Sequence, residues 1–149
     1  MKALLLLALI ACRAREPQTV VFVCDHGSAK SVVAAALFNA AAARDHLPYR
    51  AVARGVAPDA EIPPALARAL AGDGLAPPAP RPIALAPADR TAARVVYIGD
   101  GALPAATELW RSVPPVGRDY AAARDDLGAR VEGLVAQLRS ADADTRSTE

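Results

Sequence analysis

The feature that most constrains the fold is a continuous apolar strand, followed at once by a short loop and an alanine-rich helix. Residues Thr19 to Cys24 (TVVFVC) are β-branched or aromatic almost throughout, which is typical of a strand buried on both faces of a parallel sheet. After Asp25 to Lys30, the stretch Ser31 to Arg44 combines strong helix formers with Val33 and Leu37 at helical spacing. This order predicts a central first strand that leads through one tight loop into a helix.

The rest of the chain alternates strands and helices. Further strands are predicted at Tyr49 to Arg54, Arg94 to Gly99 and Glu108 to Val113, and helices at Ile62 to Ala71 and from about Arg118 to Arg139. The proline-rich stretch from Leu75 to Pro87 is predicted to be a loop, with a short helical turn at Ala88 to Ala92. Alternating elements favour right-handed parallel crossovers, so the predicted fold class is α/β.

The length of the chain favours one domain. With 149 residues and 15.4 kDa, the chain is long enough to bury a core without disulfides or metals. The predicted domain spans residues 17–139. Residues 140–149 contain no apolar residue except alanine, and we expect this tail to be disordered.

Charge and cysteine content argue against two classes of site. Seventeen basic and sixteen acidic residues give a net charge of +1, and no stretch clusters Lys and Arg with aromatic residues. We therefore expect no nucleic-acid partner. Cys12 and Cys24 belong to no CxxC motif and to no Cys/His set with metal-ligand spacing, so no metal site and no cofactor are predicted.

The first residues resemble an export signal. Lys2 precedes the apolar run Ala3 to Ala11 (ALLLLALIA), which is too short to span a bilayer as a helix, and the run ends at Cys12 as in the lipobox of bacterial lipoproteins. Residues 1–16 are thus predicted to be a signal and linker segment with lipidation at Cys12, the one route by which we expect membrane contact. In the alternative interpretation translation starts further downstream, or residues 3–11 are merely a frayed apolar terminus, and the protein is cytoplasmic.

The loop after the first strand is the candidate site. Its peptide N–H groups lie at a helix N-terminus, where they can cradle an anion. The partial positive charge there, together with Lys30, favours a thiolate at Cys24, the form that attacks phosphorus. Ser31 offers a hydroxyl toward the sulfur. The residues predicted to bind a phosphate-like oxyanion or a phosphorylated substrate are Asp25, His26, Gly27, Ser28, Ala29 and Lys30.

This loop resembles the Cys-x5-Arg-Ser phosphate loop of low-molecular-weight protein tyrosine phosphatases and of thioredoxin-coupled arsenate reductases. It reads Cys-Asp-His-Gly-Ser-Ala-Lys-Ser over residues 24–31, and residues 53–59, 81–82 and 95–99 are similar to the segments that follow in that family. The resemblance covers nearly all of residues 19–139. It implies a three-layer sandwich with a four-stranded parallel sheet in the order 2-1-3-4, and hydrolysis through a cysteinyl phosphate.

Two positions depart from the family's pattern. Lys30 stands where the family has an arginine, and it offers a point contact in place of a planar fork. The stretch that matches the family's Asp-Pro pair has a proline in place of the general acid, at Pro114-Pro115. Asp119 is the predicted substitute, with His26 as the alternative; an aspartate at a helix start also serves as an N-cap.

Three functions follow as hypotheses. The first is a phosphatase that acts on phosphotyrosine or aryl phosphates through Cys24, Lys30 and Ser31. The second is an oxyanion-binding or regulatory module with little turnover, which the missing arginine and aspartate favour. The third is an arsenate reductase that uses an external thiol, because no cysteine follows Cys24 and Cys12 is the one conceivable resolving thiol. The sequence leaves the oligomeric state open.

Overall fold

The computed structural model describes residues 15–148. The predicted lipidation site Cys12, and the signal segment apart from its last two residues, lie outside the described residues. The strands are β1 (Gln18–Cys24), β2 (Tyr49–Gly55), β3 (Arg94–Ile98) and β4 (Glu108–Trp110). The helices are α1 (Lys30–Arg44), α2 (Pro64–Gly72) and α3 (Tyr120–Arg146), with a short 3-10 helix at Pro87–Thr91.

The four strands form one parallel sheet in the order β2-β1-β3-β4, which confirms the predicted topology. β1 pairs with β2 on one side, where Cys24 lies opposite Gly55, and with β3 on the other, where Val23 lies opposite Tyr97. Because all strands run the same way, their carboxyl ends meet at one edge of the sheet. The loop that follows Cys24 therefore lies beside the segments that follow β2 and β3.

The sheet is buried on both faces, as the apolar run in β1 predicts. Phe22 faces the side that holds the helices, and its ring centroid lies 5.9 Å from that of Phe38 in α1 and 5.5 Å from that of Trp110. Val23 and Tyr97 face the opposite side, which is covered by residues near the 3-10 helix and in the loop after β3. Three layers therefore hold the end of β1 in place.

The last helix is longer than predicted. α3 continues to Arg146, so the expectation that residues 140–149 are disordered is wrong for residues 140–146. Alanines sustain the helix there, and Asp142 Oδ1 accepts a hydrogen bond of 2.9 Å from the hydroxyl of the buried Tyr49. No helix among residues 15–148 has the length and hydropathy needed to cross a membrane.

The fourth strand is shorter than predicted. It ends at Trp110, because Ser112 adopts a positive φ of 57° that no strand can contain, and two prolines follow soon after. The chain then turns toward the carboxyl edge of the sheet, where Pro115 and Val116 line the candidate site.

Candidate active site

Cys24 lies at the end of β1, at the base of a cleft of about 400 Å³. The residue is 6% exposed, and its Sγ lies 3.1 Å from the hydroxyl oxygen of Ser31, which is fully buried in the first turn of α1. One wall of the cleft is the loop after β1, and the other comes from the segments after β3 and β4. The lining residues are Cys24, Asp25, His26, Ser28, Ala29, Lys30, Ile98, Gly99, Asp100, Gly101, Pro115 and Val116.

The backbone of the loop is held by the segment that follows β2. The carbonyl oxygens of residues 24, 25 and 26 accept hydrogen bonds from the amides of Val56 (3.1 Å), Ala57 (2.8 Å) and Asp59 (3.0 Å). None of the amides of residues 25–29 donates a hydrogen bond to any of residues 15–148. With the carbonyls engaged elsewhere, these amides remain available to an anion beside Cys24.

Asp59 secures two side chains of the loop. The hydroxyl of Ser28 donates a hydrogen bond of 2.5 Å to Asp59 Oδ2, and His26 Nδ1 lies 3.5 Å from Asp59 Oδ1. The sequence alone did not reveal this role, although Asp59 ends the segment 53–59 that resembles the family. A carboxylate that anchors Ser28 keeps the middle of the loop in one conformation.

Lys30 is the first residue of α1 and is partly buried beside the cleft. Within residues 15–148 its ammonium forms no ion pair with a carboxylate. A cation at a helix N-terminus is unfavourable unless an anion joins it there. The position of Lys30 is therefore suited to an oxyanion in the cleft.

A tyrosine of the sheet reaches the rim of the cleft, which the sequence did not predict. The hydroxyl of Tyr97 in β3 donates a hydrogen bond of 2.6 Å to Asp25 Oδ1. This hydrogen bond and the burial of the ring raise the pKa of Tyr97 to about 12. Tyr97 therefore stays protonated and fixes the carboxylate of Asp25.

Five of the six residues predicted to bind an oxyanion line the cleft, whereas Asp119 has a different role. Asp119 is exposed and is the N-cap of α3, where its carboxylate accepts a hydrogen bond of 3.0 Å from the amide of Ala122. It is not among the residues that line the cleft. His26, the alternative proton donor, lines the cleft.

Asp100 is a cleft residue that sequence reasoning missed. It follows β3 by two residues, and the carboxyl edge of a parallel sheet is where ligands bind in open α/β folds. Applied to the predicted third strand, this rule would have indicated the residues just after that strand, Asp100 among them. No group of three or more His, Cys, Asp or Glu residues that could hold a metal ion occurs within residues 15–148.

Solved structures resemble this fold closely. An arsenate reductase from Archaeoglobus fulgidus is 29% identical and has a TM-score of 0.64, over 78% of this chain and 98% of that one. A low-molecular-weight protein tyrosine phosphatase from T. tengcongensis is 17% identical, with a TM-score of 0.67 over 80% of this chain and 99% of that one. The chain shares the fold of these phosphatases and arsenate reductases.

A further neighbour shows the breadth of the group. The arginine phosphatase YwlE from Geobacillus stearothermophilus is 20% identical and has a TM-score of 0.69, over 86% of this chain and 97% of that one. No protein-family model and no curated protein sequence matches the chain. The structural neighbours thus support a phosphatase or arsenate reductase relationship, and the choice between these activities rests on the site itself.

Proposed function

We propose that this protein hydrolyses aryl phosphate monoesters, phosphotyrosine among them, through a cysteinyl-phosphate intermediate. One observation carries the proposal. Cys24 Sγ lies 3.1 Å from the hydroxyl of Ser31, in a loop whose amides are unpaired within residues 15–148 and whose last residue is Lys30. A nucleophile, an oxyanion cradle and a cation therefore share one cleft.

Each group has a step in this reaction. The thiolate of Cys24 attacks phosphorus while the bond to the aryl oxygen breaks, and the loop amides and Lys30 stabilise the negative charge on the other three oxygens. Water then attacks the cysteinyl phosphate. The sulfur leaves as a thiolate, to which Ser31 can donate a hydrogen bond. Phosphate is released and Cys24 is regenerated.

The test is the hydrolysis of p-nitrophenyl phosphate by the full chain under reducing conditions, beside Cys24→Ser and the control Ser140→Ala. Ser140 is exposed on α3, and within residues 15–148 its hydroxyl bonds only to a carbonyl of its own helix. We expect turnover in the parent and in the control, and none in Cys24→Ser. A covalent phosphate adduct on Cys24, trapped by acid and located by mass spectrometry, would confirm the intermediate.

Two results would contradict the proposal. Equal turnover in Cys24→Ser and the parent would show that the cysteine is not the nucleophile. Binding of labelled phosphate without Cys24-dependent turnover would instead favour the oxyanion-binding module, which the substitution of Lys30 for the family's arginine supports.

Arsenate reduction with an external thiol is the second candidate, favoured by the 29% identical arsenate reductase. The thiolate of Cys24 would displace water from arsenate, and an external thiol such as glutathione or mycothiol would attack the sulfur. Arsenite would leave with the two electrons, and a second thiol would reduce the mixed disulfide on Cys24. Formation of arsenite that depends on both Cys24 and the added thiol would favour this candidate.

A further inference from the structure

We propose that Asp100 is the proton donor to the leaving oxygen, and the proton acceptor for the attacking water. This inference rests on the proposed phosphatase function and deepens it. It names the residue that takes the place of the general acid missing at Pro114-Pro115.

The topology brings Asp100 to the nucleophile. β1 and β3 are parallel neighbours, and Val23 lies opposite Tyr97, so Cys24 and the residues after Ile98 leave the sheet side by side. Asp100 and Cys24 line the same cleft. A group that protonates the leaving oxygen must reach it from outside the loop that holds the sulfur, and Asp100 belongs to a separate segment of the cleft lining, the one after β3.

One oxygen of Asp100 is fixed and the other is available. The amide of Ser112 donates a hydrogen bond of 3.1 Å to Asp100 Oδ1, and Ser112 adopts the positive φ of 57° that ends β4. Asp100 Oδ2 accepts no hydrogen bond from residues 15–148. The carboxyl group is thus oriented through one oxygen, while the other can carry the exchanged proton.

The backbone beneath Asp100 is held as well. The guanidinium of Arg111 donates to the carbonyl oxygens of Asp100 (2.6 Å) and Gly101 (3.1 Å). A Cβ added to Gly99 or Gly101 would lie 3.0 Å or 2.8 Å from the hydroxyl oxygen of Tyr97. Two glycines therefore let the segment lie close against Tyr97, and Arg111 binds two of its carbonyl oxygens.

The rival carboxylates are engaged elsewhere. Asp25 belongs to the phosphate loop itself, next to the nucleophile, and its Oδ1 accepts the hydrogen bond from Tyr97. Asp59 binds Ser28 and faces His26. Asp119 caps α3 and does not line the cleft. Asp25 and Asp100 are the carboxylates among the residues that line the cleft, and Asp100 is the one that lies outside the phosphate loop.

The carboxyl group of Asp100 supplies the proton of the first step and takes up the proton of the second. As the thiolate of Cys24 bonds to phosphorus, the bond to the ester oxygen breaks and that oxygen takes the proton of the Asp100 carboxyl. The resulting carboxylate then accepts a proton from water while the water oxygen bonds to phosphorus. The bond between sulfur and phosphorus breaks, its electron pair returns to Cys24, and Asp100 is protonated again.

The experiment compares two substrates in the full chain. p-Nitrophenolate leaves easily without a proton, whereas phenolate needs one. We expect Asp100→Asn to lower kcat/KM for phenyl phosphate by about 100-fold or more, and for p-nitrophenyl phosphate by less than about tenfold. An asparagine keeps an oxygen for the amide of Ser112, so the binding of labelled phosphate should be unchanged.

The pH profile is the second readout. The titratable or charged groups around Asp100 are Cys24, Asp25, His26 and Lys30 in the cleft, Tyr97 beside the flanking glycines, and Arg111, which donates to the carbonyl oxygen of Asp100. With phenyl phosphate, the fall in kcat at high pH should disappear in Asp100→Asn. Asp144→Asn, the same change at an exposed site on α3, should retain the parent's profile.

The failure of this inference differs from the failure of the function. Equal losses on both substrates in Asp100→Asn, or a selective loss on phenyl phosphate in Asp119→Asn, would overturn the role of Asp100 while Cys24-dependent turnover remained. If the parent shows no Cys24-dependent turnover, the proposed function falls and the role of Asp100 falls with it.

Discussion

Gly27 and Gly55 pack backbone against backbone, without room for a side chain on either residue. A Cβ on Gly27 would lie 2.7 Å from the nitrogen of Gly55, and a Cβ on Gly55 would lie 2.9 Å from the nitrogen of Gly27. Gly27 also has a φ of +62°, which other residues rarely adopt. This close approach lets the segment after β2 reach the carbonyls of the phosphate loop.

The contact predicts that Gly55→Ala disrupts the site. The methyl group must displace the loop, so we expect a loss of about 1–3 kcal/mol in the free energy of unfolding, together with weaker phosphate binding. Chemical denaturation and binding of labelled phosphate measure the two effects. The matched control is Gly133→Ala in α3, where an added Cβ meets nothing within 4 Å. It should stabilise the protein by up to about 1 kcal/mol. Equal stabilities of the two variants would contradict the packing argument.

Ser31→Ala should slow the breakdown of the intermediate more than its formation. The hydroxyl lies 3.1 Å from Cys24 Sγ, and its hydrogen bond matters most when sulfur leaves as an anion. A hydrogen bond to a charged group contributes about 1.5–3 kcal/mol, which corresponds to a rate loss of roughly 10- to 100-fold. Rapid-quench kinetics should show a burst of aryl product and an accumulated adduct on Cys24. An equal decrease in the rates of formation and breakdown of the intermediate would argue against this role.

Lys30→Arg should strengthen oxyanion binding. An arginine can offer two parallel N–H groups to two phosphate oxygens, whereas Lys30 makes one point contact. We expect phosphate to bind roughly tenfold more tightly in Lys30→Arg and much more weakly in Lys30→Met. Competition by phosphate against p-nitrophenyl phosphate gives both constants. Weaker binding in Lys30→Arg would show that the cleft is shaped around the ammonium.

The tyrosines predict how stability depends on alkaline pH. The hydrogen bond to Asp25 and burial raise the pKa of Tyr97 to about 12, and burial and the hydrogen bond to Asp73 raise that of Tyr120 to about 12. An unfolded tyrosine titrates near about 10. The stabilisation is therefore complete below about pH 10 and is lost as the pH rises through about 12.

Ultraviolet titration of tyrosinate measures this behaviour. In the folded protein the midpoints should lie above that of the urea-unfolded chain, and Tyr97→Phe should remove one of the highest. Burial also raises the pKa of Tyr49, the remaining tyrosine. A folded-state midpoint equal to the unfolded one would contradict the hydrogen bonds that Tyr97 and Tyr120 donate.

The local pattern of the sequence determined most of the fold and the nucleophilic loop. The apolar run that ends at Cys24 was predicted to be a central strand, because burial on both faces leaves no polar alternation. The helix from Lys30 follows from its alanines. These are short-range properties of neighbouring residues, and the resemblance to the family supplied the strand order.

Only the tertiary structure decided which distant residues complete the site. Asp59, Tyr97 and Asp100 lie near the loop or the cleft because parallel strands end at one edge of the sheet. No local sequence pattern reveals which side chains from the neighbouring segments contact the loop. The predicted end of α3 was too early for the same reason. Tyr49 in β2 donates a hydrogen bond to Asp142, a contact between two elements that are far apart in sequence. Contacts between elements far apart in sequence depend on packing, which composition and periodicity do not encode residue by residue.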